Sequence, residues 1–397
     1  MPLLGCLADD LPGATDLAAM LVAQGMRTVL TTRLPEGPLP ETDALVIAAP
    51  EAQRLAACEA LLAAGARQIL LHLDPGCRGL AAGQLGPVAD ALLHRLQAGF
   101  ALVCPAFPAL GATVYQGHLF LGAALASTGE PSLMRALAQQ TEGATGLLPF
   151  AVVEQGLAPL RQALHRLRDG GRRYAIADAL TEAHLHSLGA ACAGHPLVIG
   201  GTGLAMALPQ NFRAAGLLPD RADAEALPAA TGTQAVLASA STRATLGQIG
   251  FARLHGPVLE LDPLATPEPG ALLAQALAWL EGKLSATRPV VITTATAPER
   301  AAALQARLGE AALAALLDKT LGDLAAALVE RGVGQLVAAD EAAAGAVLGR
   351  LGITRLRVGA QIDPGLPWSY SDEAGLHLAL KPGHSGARDF FLKAFPP

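Results

Sequence analysis

Two adjacent carboxylates, Asp9 and Asp10, end the apolar run Leu3 to Leu7 and precede Pro12, Gly13 and an Ala/Leu-rich stretch that reads as a helix. In a parallel sheet the carboxyl end of a strand and the amino end of the next helix face one crevice, where ligands bind. A carboxylate there can take a proton from a substrate hydroxyl or hold a magnesium ion. A structural reading stands beside the catalytic one. Leu11-Pro12-Gly13-Ala14 can form a type II turn, with Thr15 capping the helix and the aspartates complementing its dipole. One carboxylate satisfies a helix; two crowd it.

Further along, LVCPAFPALGATVYQGHLFLG (Leu102 to Gly122) leaves a strand and enters a long loop carrying Tyr115, Gln116 and His118. Pro105 and Pro108 stiffen it, which suits the wall of a binding cleft, although a lone histidine beside apolar residues also reads as a structural side chain. Glycine clusters let backbone N–H groups point at phosphate. Three occur: IGGTGLA (Ile199 to Ala205), ATGT (Ala230 to Thr233) and KPGHSGARDFF (Lys381 to Phe391). None is a Walker loop, and Gly201, Gly203 and Met206 miss the dinucleotide pattern G-x-G-x-x-G by one residue. His184 and His186 fall on different sides of a helix and read as surface, not as a metal pair.

The elements that must position these residues alternate along nearly the whole chain. Strand-like runs are Leu3 to Leu7, Thr28 to Thr32, Ala44 to Ala48, Gln68 to Leu73, Ala101 to Cys104, Tyr174 to Ile176 and Pro196 to Ile199, with helical stretches between. Such short runs, read as buried on two faces and separated by helices, predict parallel strands with right-handed crossovers. Periodicity then lapses in LLPDRADAEALPAATGT (Leu217 to Thr233), which reads as an interdomain connection. A second series follows: Ala235 to Leu237, Pro257 to Leu261, Val290 to Thr294, Gln335 to Ala338, Leu356 to Val358 and His377 to Leu380. The expected fold is α/β with two lobes, 1–228 and 232–397, each a mainly parallel sheet flanked by helices, with a cleft between the lobes.

Composition narrows the partners. The 397 residues exceed the roughly 250–300 at which one core stops growing. Charged residues make up 16%, against roughly 25% in average proteins, and the net charge is -6 with no Lys/Arg block, so nucleic acid is not an expected partner. No run approaches the ~18 apolar residues of a spanning helix, which predicts a cytoplasmic protein with small-molecule ligands. The five cysteines are isolated and odd in number, against a disulfide framework or a structural zinc site.

Taken together, ADDxxGATDLA, CPAFP followed by TVYQGHLFLG, then GGTGLA, and late in the chain IDPGLPW and LALKPGHSGARDFF resemble the four-carbon acid sugar kinases, in order and with similar spacing over almost the entire chain. The similarity is greatest to the 3-oxo-tetronate kinase branch. It implies an N-terminal lobe binding the sugar acid, a C-terminal lobe binding ATP with magnesium, and phosphoryl transfer to a terminal hydroxyl. On the matching positions it implies Asp9 and Asp10 as catalytic carboxylates and Gly13, Thr15, Asp74, Arg78, Tyr115, Gln116 and His118 around the acid. Around the nucleotide it implies Ser239, Ser241, Thr245, Asp340, Glu341, Ala342, Ala343, Gly345, Gly383 and Gly386. No resident protein-bound metal is expected, and a homo-oligomer is compatible.

The chain departs from that pattern in several places. A Lys-Ser-Arg loop is replaced by AAPEAQR, with Pro50, Glu51 and Ala52 in the corresponding place, which turns a cationic anchor into an acidic loop. HLDPGCRGLAAGQLGPV (His72 to Val88) keeps Gly83, Gly86 and Pro87 of the next motif but not its polar groups, so Asp74 or Arg78 must substitute. After Gly122 the passage LASTGEPSL is shorter. In the second lobe Ser-Gly-Ser-Cys-Ser becomes ASAST (Ala238 to Thr242), and Gly-Gly-Glu-Thr-Ser-Gly becomes DEAAAG (Asp340 to Gly345). Asp340 and Glu341 add Cβ atoms and negative charge where a triphosphate approaches, and both effects oppose ATP. Two function classes follow. One is an ATP-dependent kinase of four-carbon sugar acids, and the other a catalytically impaired pseudokinase that binds a metabolite or protein partner. A nicotinamide-dependent oxidoreductase rests only on the near-miss glycine cluster.

Overall fold

In the computed structural model, which describes residues 1–126 and 130–395, the chain forms two compact units, Met1–Glu225 and Ala226–Pro397. Residues 127–129 of the shortened passage LASTGEPSL lie outside the described residues.

The first unit holds eleven strands among its described residues: β1 (Leu4–Ala8), β2 (Thr28–Thr31), β3 (Ala44–Ala48), β4 (Gln68–His72), β5 (Ala101–Cys104), β6 (Ala112–Tyr115), β7 (His118–Leu121), β8 (Ala124–Leu125), β9 (Thr145–Leu148), β10 (Tyr174–Ala177) and β11 (Leu197–Gly200). Eight form a wholly parallel sheet in the order β2-β3-β1-β4-β11-β5-β10-β9. Every residue of β1, β4, β5, β10 and β11 is buried, because helices cover both faces, and this is why these strands read as continuous apolar runs. Register pairs Leu7 with Ile47 and Leu71, and Gly200 with His72 and Cys104. The loops after β1, β3, β4, β5 and β11 therefore emerge on one edge. From β1 the chain passes to β2, returns to β3 beside β1 and then crosses to β4 on the other side, so this edge contains a topological switch point.

The second unit contains β12 (Thr233–Ala238), β13 (Val258–Glu260), β14 (Val290–Thr293), β15 (Val333–Ala339), β16 (Arg355–Asp363), β17 (Leu366–Ser371) and β18 (Leu376–Lys381). Their order is β13-β14-β12-β15-β18-β17-β16. The first five are parallel, and β17 runs antiparallel to both β16 and β18. Ala238 pairs with Ala339 and Ala339 with Lys381, so Ser239, Asp340 and Pro382 leave the sheet side by side. Phe390, Phe391 and Phe395 pack under this sheet with Val236, Val337 and Trp368, whose indole N–H donates to the Ala394 carbonyl at 2.7 Å.

Several elements differ from the sequence expectation. The stretch from Ala112 to Leu125 is not a loop wall but a small antiparallel sheet, β6-β7-β8, turned at Gln116 and Gly117, whose φ values of 51° and 70° make a type I′ hairpin. β9 was not expected, since four residues with one glycine carry little pattern. β17 begins within IDPGLPW, where Pro364-Gly365 makes a tight hairpin turn and Pro367 obscures the alternation. Among the described residues, no helix is long and apolar enough to cross a membrane.

Candidate active site

At the end of β1 the helix Leu11–Ala23 starts without a turn. Asp10 is its N-cap: the carboxylate accepts from the Gly13 N–H at 2.8 Å, and Pro12 sits in the first turn, where a missing N–H costs nothing. This corrects the expected type II turn and the cap by Thr15. Thr15 is buried, and its hydroxyl donates to the Leu11 carbonyl inside the helix at 2.8 Å. Gly13 is required by close packing, since a Cβ would meet the Asp10 carboxylate at 2.9 Å and the His72 ring at 3.0 Å.

The second carboxylate has a different partner. Arg54, whose side chain is 4% exposed, reaches from the turn after β3 to within 2.8 Å of the Asp9 Oδ1. The loop read as acidic thus supplies a cation two residues beyond Ala52, which is the correction to that expectation. The Asp9 Oδ1 and the Arg54 Nε are both buried atoms; the contact between the two side chains is made by the Arg54 Nη2, and the Nε has no hydrogen-bond partner among the described residues. Burial raises the Asp9 carboxyl above its ordinary range; Arg54 opposes this, and Asp10 and Asp74 add to it.

Asp74, just past β4, accepts from the Gly76 and Arg78 N–H groups at 2.8 and 2.9 Å, which fixes the turn that carries Arg78. The Arg78 guanidinium lies 3.1 Å from Asp10 and 3.5 Å from Asp74, and remains 72% exposed. His72 lies beneath, and burial lowers its pKa to about 4, so it is neutral at pH 7. A Cβ on Gly79 would stand 3.2 Å from the Asp9 carboxylate. Three carboxylates and two guanidiniums thus meet at the ends of β1, β3 and β4. Of these the sequence pointed to Asp9, Asp10, Asp74 and Arg78. Arg54 and His72 were missed, although Arg54 is the only cation in AAPEAQR.

The glycines of IGGTGLA do not form a cradle. Cβ atoms at Gly200, Gly201 and Gly203 would strike the backbone carbonyls of Cys104, Leu73 and Ala106 at 2.7, 3.0 and 2.6 Å, so these residues serve close packing. Thr202 joins this motif to the first one, its hydroxyl donating to Asp16 at 2.6 Å. Tyr115, Gln116 and His118 stand on the β6-β7 hairpin. Its turn is pinned by the buried Asp178, which accepts from the N–H groups of Gln116, Gly117 and Phe150, each at 2.8 Å. Tyr115 packs edge-on against Phe150, and the His118 Nδ1 lies 2.8 Å from the Gln116 carbonyl. No hydrogen bond, ion pair or ring contact joins these three side chains to the Asp9–Arg54 cluster among the described residues. His186 is exposed as expected, whereas His184 is half-buried, accepts from the Leu180 N–H at 3.1 Å and packs on Phe150.

In the second unit Asp340 stands at φ 149°, a backbone region that favours glycine. It is 2% exposed, and it caps the helix Glu341–Leu351 by accepting from the Ala343 N–H at 2.8 Å. It also accepts from the Ser239 and Ala240 N–H groups at 2.5 and 2.7 Å and from the Ser239 hydroxyl at 2.7 Å. The expectation of a bare charge facing the nucleotide is therefore corrected: the carboxylate is turned into the protein and held by four donors. Glu341, Ala342 and Gly345 are exposed, and Ala343 is buried. Ser241 accepts from the Thr296 N–H at 3.0 Å. Thr245 donates to the Gly383 carbonyl at 2.8 Å, which ties β12 and its following helix to the turn after β18, and Gly386 has φ 85° in that turn.

Comparison with known proteins agrees with this division. Residues 4–208 match the model of a sugar-binding N-terminal domain, and residues 235–391 that of a nucleotide-binding C-terminal domain. The 3-oxo-tetronate kinases of Cupriavidus necator and Burkholderia multivorans are each 42% identical, over 99% of this chain and 96% of theirs. A crystal structure from Salmonella typhimurium LT2 superposes with a TM-score of 0.88 at 33% identity, covering 98% of both chains. A Haemophilus influenzae protein gives 0.87 at 30%, with the same coverage. Full-length similarity at this level, with both domain models in order, leaves one conclusion: the chain belongs to the four-carbon acid sugar kinase family.

Proposed function

We propose that the protein is an ATP-dependent kinase acting on the terminal hydroxyl of a four-carbon sugar acid, with a 3-oxo-tetronate as the first substrate to test. The observation that carries this reading is the interleaving of Asp9, Arg54, Asp10, Arg78 and Asp74 at the sheet edge. Phosphoryl transfer is catalysed mainly by positioning and charge neutralisation, and such an array supplies both. Asp9, raised by burial, is the candidate base for the acceptor hydroxyl. Asp10 is committed as a helix cap and to Arg78, which makes it the positioning partner. Arg78, exposed and fixed at its root by Asp74, is the cation available to the acid's carboxylate.

Among the described residues no group of three or more His, Cys, Asp or Glu is arranged to hold a metal. Each active-site carboxylate is already partnered by an arginine, so the side chains do not fit a resident magnesium ion, and magnesium belongs to the MgATP substrate. On the nucleotide side the reading rests on Ser239, Ser241, Thr245, Asp340 to Ala343, Gly345, Gly383 and Gly386. The pseudokinase alternative drew on the charge of Asp340, and that support weakens with the carboxylate internally satisfied. A coupled ADP-release assay with 3-oxo-tetronates and other four-carbon acids tests the proposal. Acid-dependent ADP release is expected, and its absence with every acid, despite saturable MgATP binding, would reject the kinase.

A further inference from the structure

The last residue of β18, Lys381, is a lysine with 1% exposure, where lysine is almost never found unless paired. No carboxylate lies in contact with it. Its ammonium donates to the carbonyls of Pro382 at 2.8 Å and Ser385 at 3.1 Å, and its third N–H has no partner among the described residues. The same turn is held by other side chains. Thr242 and Thr245 both donate to the Gly383 carbonyl, and the Gln248 amide lies 3.0 Å from each of the Ser385, Gly386 and Ala387 carbonyls. Five carbonyls of the turn are thereby drawn inward. The N–H groups of Gly383, His384 and Gly386, by contrast, donate to nothing among the described residues. The Ser385 N–H between them closes the turn on the Pro382 carbonyl at 3.1 Å, and unpaired backbone N–H groups flanking such a turn can serve an anion.

We infer that Lys381 is a positioning residue for the nucleotide: its ammonium clamps the Pro382–Ser385 turn so that the free N–H groups of Gly383, His384 and Gly386 are presented to a polyphosphate. The inference rests on the kinase reading above and deepens it. An uncharged side chain of the same length would fill the space but would not draw two carbonyls at once, and a buried ammonium is costly enough to need a role. The other charged groups facing it are the carboxylates of Asp340 and Glu341, which hold its proton on, whereas burial brings its pKa down to about 8. The clamp therefore titrates just above neutrality. If only the charged form presents the turn, the competent fraction falls about tenfold between pH 7 and pH 9, and apparent nucleotide affinity falls with it.

The test is MgATP binding by calorimetry from pH 6.5 to 9.5 on the full-length wild type, Lys381→Met and Lys381→Arg, with sugar-acid KM measured in parallel. For the wild type, Kd is expected to rise about tenfold from pH 7 to pH 9. Lys381→Met should bind about tenfold more weakly at pH 7 with a flat profile, and Lys381→Arg should bind with the upper limb flattened, because arginine stays charged. The KM for the acid should not move in either. Wild-type binding matched by Lys381→Met at every pH overturns the clamp and leaves the kinase reading standing. Should Lys381→Met fail to fold, an Arg variant that keeps the wild-type fall with pH overturns it equally. No saturable MgATP binding by the wild type would reject the nucleotide reading and the clamp with it.

Discussion

At the scale of single residues, the Asp9–Arg54 pair separates catalysis from stability. Burial raises the Asp9 carboxyl, so its ionisation opposes folding: its contribution to stability is fully present below the unfolded carboxyl pKa and is lost as pH rises through the raised folded value. Asp9→Asn is therefore expected to unfold at least as hard as the wild type at pH 7, while phosphoryl transfer drops by about 10²–10⁴, the usual worth of a general base. Arg54→Met has the opposite profile. It leaves the Asp9 carboxylate without its cation and is expected to cost about 3 kcal/mol in urea unfolding, as breaking buried pairs does. An Asp9→Asn variant with wild-type turnover would remove Asp9 from the mechanism.

His72 adds a pH dependence of the opposite sign. Its folded pKa of about 4 lies below the ordinary value of 6.5, so the buried ring favours the native state when neutral. Stability from this group is present above pH 6.5 and lost as pH falls from 6.5 towards 4, by at most about 3 kcal/mol. Urea midpoints measured over that window for the wild type and His72→Phe check it. The variant's profile should be the shallower, and superimposable profiles would show that His72 is not an acid-labile site.

At the scale of elements, the turn after β15 shows how much the local sequence conveys. DEAAAG reads as a glycine loop spoiled by charge, yet the backbone still takes a glycine-like φ of 149° at Asp340 and the carboxylate is spent on its own neighbours. Asp340→Gly would relieve backbone strain of about 1 kcal/mol but strand three N–H groups and a hydroxyl, at about 1–3 kcal/mol each. A net loss of about 3 kcal/mol or more is expected in urea unfolding. A variant as stable as the wild type would mean that the carboxylate is not structural. The parallel strands were legible because burial on both faces writes them as unbroken apolar runs. The β6-β7-β8 hairpin sheet and β17 were not, since glycine, proline and an exposed face dilute the alternation. Asp9 and Asp10 were legible as carboxylates at a strand end, and Asp74 and Arg78 only through the family resemblance. Arg54, Asp178 and Lys381 were not, because their roles come from partners distant in sequence, which no local spacing encodes.

At the scale of the whole molecule, the division at Glu225 matches a stretch that is largely exposed from Ala222 to Gly232 and carries no helix or strand. If the first unit takes the acid and the second the nucleotide, each ligand should stabilise its own unit, because a ligand that binds only the native state adds RT ln(1 + [L]/Kd) to it, about 2.7 kcal/mol at a hundredfold excess over Kd. Hydrogen exchange read by peptide on the intact chain resolves where that stabilisation falls. MgATP is expected to slow exchange in 239–245, 340–345 and 382–387, the three turns that leave β12, β15 and β18 side by side. A sugar acid should slow it in 9–14 and 72–79, where Asp10, Asp74 and Arg78 are linked. The strongest protection by MgATP should come at Gly383 and Gly386, because their N–H groups have no internal acceptor among the described residues and gain one only from the ligand. Protection of 9–14 and 72–79 by MgATP alone, with the turns of the second unit unchanged, would reverse the assignment of ligands to units.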